Sequence, residues 1–339
     1  MGTKIFDLVP KQDITIEELK NKSIVVDTSL YLYQFMATIR QRDGTLLTDS
    51  NGNVTSHLIG LFARITQLMQ NDIKLSFCFD GKPPQLKSDE QKRRREIKTK
   101  ATEEYEVAKE REDVGAMKKF ASRTSRLTKD MIDESKELLI ALGLPVVQAP
   151  SEGEAQAAYL VKNNDAFGLS TNDADSLLFG TPRLIKDLSV GQKRKLPGKS
   201  AYVTTYPQLI ELEKTLKHLN ISQDQLIAIA MLVGTDYNYG GIKGLGPQKA
   251  LKLVKQEQDL NKIFKEAKWN DNFDFEWEKI FNAIKNMPVE KNYDLKWTSV
   301  NPEKVKKILC DNHNFEENRV DLTLARLLPK KQQGLSQFF

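Results

Sequence analysis

Cysteine and histidine are scarce in this 339-residue chain, with two of the first and three of the second. Cys78 and Cys310 match no disulfide or metal spacing, which excludes a disulfide scaffold and a cysteine-held metal centre. His57, His218 and His313 are scattered, which argues against zinc. Cys78 lies in an apolar strand and reads as a buried thiol, so a reducing, intracellular setting is expected. No apolar run approaches the length of a bilayer span and no signal peptide is visible, so a membrane is not an expected partner. Apolar residues make up 40% and charged residues 29%, enough to bury a core and keep a solvated surface. The length exceeds one typical domain and suits one large α/β domain with additions.

Charge is what the chain has in quantity: 51 Lys and Arg against 46 Asp and Glu. Two acidic pairs organise it. Glu152 and Glu154 open a small-residue helix after Ala149-Pro150-Ser151, and Asp173 and Asp175 follow a short apolar strand. Neither pair has a Lys or Arg inside it. Carboxylates about 4 Å apart repel by roughly 4 kcal/mol at an effective dielectric of 20, so a convergent set needs protons or cations. Each pair also has a plainer reading. Ser151-x-x-Glu154 is a capping box, and Asp173 and Asp175 suit the first turn of a following helix.

Three further acids stand at equivalent places. The apolar run from Lys22 ends on Asp27, and that from Lys74 ends on Asp80. Asp236 follows the apolar helix expected over Gln225–Val233. Helices are expected over Thr28–Arg40 and Ser56–Gln70, with core strands at Leu144–Gln148 and Ala166–Ser170. This pattern predicts an α/β fold with a central, mostly parallel twisted sheet flanked by helices. Ligands of such sheets gather at the carboxyl ends of the strands. An all-oxygen set of Asp27, Asp80, Glu152, Glu154, Asp173, Asp175 and Asp236 selects Mg²⁺ or Mn²⁺ over Zn²⁺. Setting those acids aside leaves a strongly basic remainder, suited to an anionic polymer.

Lys87–Lys129 is dense in charge and free of proline. It predicts two long helices with a break near Asp113-Val114-Gly115. Lys92–Arg95 sit on the first, and Lys119, Arg123 and Arg126 share a face of the second. A solvated helical hairpin accounts for such a segment alone; its insertion after Asp80 favours a lid of basic helices over the acids. Two β-segments are expected within Pro182–Tyr206 around the basic loop Gln192–Gly198. Gly240-Gly241-Ile242-Lys243-Gly244-Leu245-Gly246-Pro247 lies between helices, where glycine N–H groups and a helix N-terminus suit a phosphate, with Lys249 following. A helical corner with packing glycines is the other reading. Residues 255–330 can be assigned only packing. The chain ends Gln332-Gln333-Gly334-Leu335-Ser336-Gln337-Phe338-Phe339, an apolar plug for a partner's pocket.

Taken in order, Val26-Asp27, Phe79-Asp80-Gly81-Lys82-Pro83-Pro84, Pro150-Ser151-Glu152-Gly153-Glu154-Ala155, Asp173-Ala174-Asp175-Ser176, Gly234-Thr235-Asp236-Tyr237 and the glycine turn closely resemble the XPG nuclease family, specifically its archaeal flap endonucleases. The resemblance covers nearly the whole length. It implies a PIN-like 5′ nuclease fold with an N-terminal nuclease region (1–98) and a helical arch (84–128). It further implies an internal nuclease region (116–258) with a helix–hairpin–helix-type DNA grip (225–256), a C-terminal helical region (259–330) and a sliding-clamp peptide (331–339). Asp27, Asp80, Glu152 and Glu154 would hold one Mg²⁺, and Asp173, Asp175 and Asp236 a second, with Mn²⁺ as a substitute. Lys87 and Arg94 would stabilise charge on the scissile phosphate, and Tyr33 would stack on the neighbouring base. Arg40 and Arg64 match DNA-contacting positions. Gly244, Gly246 and Lys249 would hold the duplex, with K⁺. Gln332, Leu335, Phe338 and Phe339 would engage the PCNA sliding clamp.

The resemblance implies a monomeric 5′ flap endonuclease and 5′–3′ exonuclease of DNA replication (Okazaki fragment maturation) and repair, in the cytoplasm or nucleoid of an archaeon. Its substrate would be branched DNA with a 5′ flap. A bubble-cutting excision-repair nuclease would carry a very long insertion between the acidic regions, and a non-catalytic scaffold would show eroded ligands. The N-terminus departs from the family, reading Gly2-Thr3-Lys4-Ile5-Phe6 in place of Gly-Ile-x-Gly-Leu.

Overall fold

The computed structural model describes residues 4–188, 193–195 and 202–327. Nine strands are described: β1 (Gln12–Asp13), β2 (Ser23–Asp27), β3 (Lys74–Phe79), β4 (Val146–Gln148), β5 (Gly168–Ser170), β6 (Arg183–Lys186), β7 (Lys193–Lys195), β8 (Tyr202–Thr204) and β9 (Gln208–Glu211). Seven of them form one sheet in the order β1-β9-β6-β5-β2-β3-β4, and β7 pairs with β8 apart from it. The five strands from β6 to β4 are parallel, while β9 runs antiparallel to both β6 and β1. Ile24, Val25, Val26, Leu75, Phe77 and Phe79 are all buried, as strands covered on both faces require.

Register aligns the strand ends. Val26 lies beside both Phe77 and Ser170, so β2, β3 and β5 stop at one edge of the sheet. The chain steps outward from β2 to β3 to β4, then returns to β5 on the other flank of β2. That reversal opens a crevice at the carboxyl ends of β2 and β5, where this architecture receives ligands. Asp27, Asp80 and the segment 171–175 all leave the sheet there.

The helices that matter to the site are α1 (Thr28–Thr38), α2 (Ser56–Met69), α3 (Ser88–Glu110), α4 (Val114–Thr124), α5 (Lys129–Ala141), α6 (Gly153–Lys162), α7 (Asp175–Leu178), α8 (Leu212–Leu219), α9 (Gln223–Val233) and α10 (Pro247–Glu257). The predicted break in the charged segment falls at residues 111–113, and Asp113 caps α4 by accepting from the Ala116 N–H at 3.0 Å. α3 and α4 are not wholly solvated: Ala101 and Ala108 of the first and Met117 and Ala121 of the second are buried.

Two expectations are corrected. Arg126 does not share a helical face with Lys119 and Arg123, because α4 ends at Thr124. The Ser125 hydroxyl accepts from Arg40 at 2.5 Å and Leu127 packs on the core, which draws the chain out of the helix before Arg126. Pro182–Tyr206 holds three strands rather than two, because β6 joins the main sheet between β5 and β9.

Beyond α10 come three short helices (Leu260–Glu266, Trp269–Asn272, Trp277–Lys285); Phe264, Phe273 and Phe275 pack on the buried Trp269 ring, and Trp277 stacks on Phe264. An extended stretch then binds to the rest of the fold. The Gln156 side-chain amide donates to the Glu290 carbonyl at 2.8 Å and accepts from its N–H at 2.7 Å; the Trp297 indole N–H donates to the Leu75 carbonyl at 2.7 Å. The terminal segment Gln332–Phe339, Gly2, and the loop residues 189–192 and 196–201 lie outside the described residues.

Candidate active site

Six of the acids lie at or beyond the carboxyl ends of β2, β3, β4 and β5, and the seventh, Asp236, follows α9. Asp27 ends β2 and also caps α1, its Oδ1 accepting from the Leu30 N–H at 3.3 Å. Asp80 follows β3 and accepts from the Gly153 N–H at 2.7 Å. A Cβ at Gly153 would lie 2.9 Å from that Asp80 oxygen, so glycine allows α6 to begin so close. The capping box expected over Ser151–Glu154 is not formed: Glu152 occupies the N-cap, and the Ser151 hydroxyl donates to the Lys82 carbonyl at 3.2 Å. Glu154 turns inward instead, where its Oε1 accepts from Thr171 at 3.1 Å.

The plainer reading of the second acidic pair is partly realised. Asp175 opens α7, and Asp173 accepts from the Asp175 N–H at 3.1 Å. Asp236 stands in a turn after α9 that is fixed from within. The Thr235 hydroxyl donates to Asn238 Oδ1 at 2.7 Å, and the Asn238 amide donates to the Met231 carbonyl at 2.6 Å.

The seven carboxylates form one electrostatic cluster. Burial pushes Asp27 up to about 7, and the charges of Asp80 and Asp173 push the same way. Burial likewise holds Glu154 well above the usual carboxylate range, helped by Asp173, Asp27 and Asp175. Glu152 is raised by burial against the opposing pull of Lys87, with Asp80 and Asp236 adding to the rise. Uptake of protons is the signature of too little positive charge nearby.

Two cations from the foot of α3 lean into the cluster. Lys87 Nζ donates to Glu152 at 2.7 Å and stands 3.4 Å from Asp236. Burial alone would lower the lysine's affinity for its proton, but Glu152, Tyr237 and Asp236 outweigh it and hold the ammonium above its ordinary value. Arg94 bonds Asp236 at 2.6 Å and Glu90 at 2.7 Å. Lys87, Arg94, Asp80, Glu152, Asp236 and Tyr33 border a common cavity of about 420 Å³. Among the described residues no three acids are already drawn in tightly enough to hold an ion. The donor set nonetheless fits hard divalent cations, because seven clustered carboxylates face two side-chain cations, and Asp27, Glu152 and Glu154 hold their protons more tightly than ordinary carboxyls.

The other candidates divide. Tyr33 stands at the cavity rim, 40% exposed, with Lys98 Nζ 4.9 Å from its ring centroid. Arg40 and Arg64 do not border the cavity. Arg40 bonds the Gly44 carbonyl at 2.7 Å as well as Ser125, and Arg64 bonds the Leu188 carbonyl at 3.0 Å and Gln67 at 2.7 Å. In the glycine turn, Gly240 and Gly244 have φ of +85° and +86°. A Cβ on Gly240, Gly244 or Gly246 would meet nothing within 4 Å, so that backbone is open to an approaching group. Gly241 differs, since a Cβ there would collide with the Val233 backbone. The packing reading therefore applies to Gly241, while Gly240, Gly244 and Gly246 leave their backbone unobstructed. Lys249 Nζ donates to the Gly244 carbonyl at 3.2 Å.

Sequence reasoning passed over Thr171, Glu90 and Tyr239, and took Arg93 only as one of a basic cluster. Glu90 pairs with Arg93 at 2.6 Å and Arg94 at 2.7 Å, and the i, i+3 and i, i+4 spacing would have revealed it. Arg93 lies 3.8 Å from the Tyr239 ring centroid, joining the foot of α3 to the glycine turn. Nothing in the sequence signals Thr171.

The XPG N-terminal domain matches residues 5–101 and the XPG I-region matches residues 143–236. Flap endonuclease 1 of Staphylothermus marinus is 44% identical over 350 residues, covering all of both chains. That of Pyrococcus abyssi is 46% identical over 343 residues, covering 100% of this chain and 98% of its own. The chain belongs to the flap endonucleases of the XPG family. The solved flap endonuclease-1 from Methanococcus jannaschii superposes with a TM-score of 0.76 at 37% identity, covering 96% of this chain and 98% of that one. The catalytic core of Rad2 in complex with DNA substrate shares the fold, with a TM-score of 0.69 at 24% identity. The two matched regions contain all seven acids, and the interval between them holds the end of α3 and all of α4 and α5. This flap endonuclease is therefore a DNA-cleaving hydrolase of replication and repair, built on an α/β nuclease core. Its relatives are archaeal, and no described helix is long and apolar enough to cross a membrane.

Proposed function

We propose that the chain hydrolyses a phosphodiester at the junction of a 5′ flap with duplex DNA, in a pocket whose carboxylates hold two Mg²⁺ ions. Asp27, Asp80, Glu152 and Glu154 would hold one ion and Asp173, Asp175 and Asp236 the other, with Mn²⁺ as a substitute. Bound there, such ions activate water and neutralise charge on the phosphate and leaving oxygen. Lys87 and Arg94 hang from the foot of the arch at the mouth of that pocket. They would attract a phosphate towards the acids, which otherwise repel it. Tyr33 offers a ring at the rim on which the base beside the cut would stack. Gly244, Gly246 and Lys249 would bind the duplex strand through backbone N–H groups and an ammonium, with K⁺ nearby. Arg40, already tied to Ser125, would act on DNA chiefly by holding the second arch helix in place.

A single observation carries this reading: seven acids from five chain segments cluster beneath two cations, Lys87 and Arg94, at the foot of α3. We further infer a monomer that cuts exonucleolytically as well and docks to the PCNA clamp through Gln332, Leu335, Phe338 and Phe339. Cleavage of a labelled 5′-flap substrate by Asp173→Asn in Mg²⁺ tests the core of it. Cleavage should vanish while flap binding in Ca²⁺ survives. Undiminished cutting, or cutting by wild type in excess chelator, would end the proposal.

A further inference from the structure

Thr171 is 1% exposed and sits among three of the acids. Its hydroxyl lies 3.1 Å from Asp27 Oδ2 and 3.1 Å from Glu154 Oε1, and it accepts from the Asp173 N–H at 3.1 Å. Asp27 ends β2, Glu154 belongs to the first turn of α6, and Asp173 follows β5. One side chain therefore ties together three of the segments that converge on the site. A hydroxyl has one proton and two lone pairs. It accepts from the Asp173 backbone and donates to one carboxylate at a time, within reach of both.

The support behind Thr171 is equally specific. The preceding Ser170 hydroxyl is 2.7 Å from the buried Tyr31 hydroxyl on α1, and the following Asn172 side chain accepts from the Asp187 N–H at 2.7 Å. Residues 170–172 are thus held on both sides, and the Thr171 rotamer is set by fixed backbone. Asp27 Oδ1 already accepts from Leu30, so Thr171 completes the orientation of that carboxylate.

We propose that Thr171 is a positioning residue for the divalent-ion site: its hydroxyl fixes the mutual aim of Asp27 and Glu154 and anchors the start of the Asp173 turn. This rests on the two-ion reading above. Groups that orient ligands without binding the metal change affinity or activity by about 10–100-fold when removed. The isosteric Thr171→Val keeps the volume and removes the hydroxyl; Thr171→Ser keeps the hydroxyl and removes the methyl.

Mn²⁺ binding to the chelator-stripped full chain, followed by electron paramagnetic resonance without DNA, reads this directly. Thr171→Val should bind Mn²⁺ at least about tenfold more weakly, Thr171→Ser within about threefold of wild type. The Mg²⁺ concentration for half-maximal flap cleavage should rise in the same order, with flap binding in Ca²⁺ unchanged for both. Thr171→Ala serves as a second hydroxyl-free variant should Val fail to fold, judged by circular dichroism. Wild-type Mn²⁺ affinity in a folded Val or Ala variant overturns the proposal. Equal losses in Ser and Val also overturn it, because packing would then be the cause. If wild type itself takes up no Mn²⁺, the two-ion reading falls instead, and Thr171 with it.

Discussion

Stripping divalent ions should make stability fall as pH rises through the acid range, opposite to the trend of an ordinary salt-bridged carboxylate. Asp27 has a folded-state value of about 7 against an ordinary 3.8. Between these values the unfolded chain has lost the proton while the folded chain keeps it. The folded state therefore binds more protons, and each unit of pH rise costs about 1.4 kcal/mol of stability. Over roughly three units the loss is about 4 kcal/mol, complete once pH exceeds about 7. Glu154 is shifted the same way and steepens the fall. Asp49 opposes it only at the acid end: burial would raise it, but hydrogen bonds from Asn53, His313 and Asn51 hold it at about 2, so its contribution is complete by about pH 5.

The assay is urea unfolding at pH 5 and pH 8, with excess chelator and with 10-fold-varied Mn²⁺. In chelator the midpoint should drop between pH 5 and pH 8 by several kcal/mol once multiplied by the measured slope. Mn²⁺ should restore more stability at pH 8 than at pH 5, since at pH 5 it competes with protons for the same oxygens. Asp27→Asn should flatten most of the pH trend in chelator. Equal stability of the chelated protein at both pH values, or a trend undiminished in Asp27→Asn, would refute the linkage.

Two further outcomes follow from the geometry. Lys87→Ala removes a cation that faces both Glu152 and Asp236; single-turnover cleavage of flap DNA in Mg²⁺ should fall by about 10²–10³, with flap affinity changed far less. Gly244→Ala and Gly241→Ala separate grip from packing. The first meets open space and carries only the strain of positive φ, so it should cost about 1 kcal/mol in urea unfolding yet weaken duplex binding. The second drives a Cβ into the Val233 backbone and should lower stability by about 3 kcal/mol or more.

The parallel core and the acid ring were legible because both are local in sequence. Each strand is a short apolar run, and Asp27, Asp80, Glu152 and Asp173 lie within a few residues of a strand end. Charge repulsion then says that such acids can meet only over cations. Less legible were side chains whose partner is distant in the chain. Arg40 reads as a surface cation until Ser125, 85 residues away, is seen to take it up. Arg126 shows a limit of periodicity: spacing on a helical wheel means nothing once the contacts of Ser125 and Leu127 end the helix. The Ser151 box failed for a related reason. Lys82, Asp80 and Thr171 compete for the very groups that would have capped α6, and three tertiary bonds prevail over one local cap.

That competition explains why the foot of the arch is so heavily bonded. Glu90 is a buried acid that holds Arg93 and Arg94, and those two reach Tyr239 and Asp236 in the turn after α9. Lys87 reaches the same Asp236 and lies 5.1 Å from the Tyr237 ring. Lys87, Arg93 and Arg94 are thus joined to Asp236, Tyr237 and Tyr239 of one turn. The acid pocket, the arch and the glycine turn share that segment. A cation bound at Asp236 would compete with Lys87 and Arg94 for its oxygens, which would couple occupancy of the pocket to the set of α3. The two basic side chains would lose a partner as the acids gained one, which would turn their charge towards whatever anion approaches the mouth.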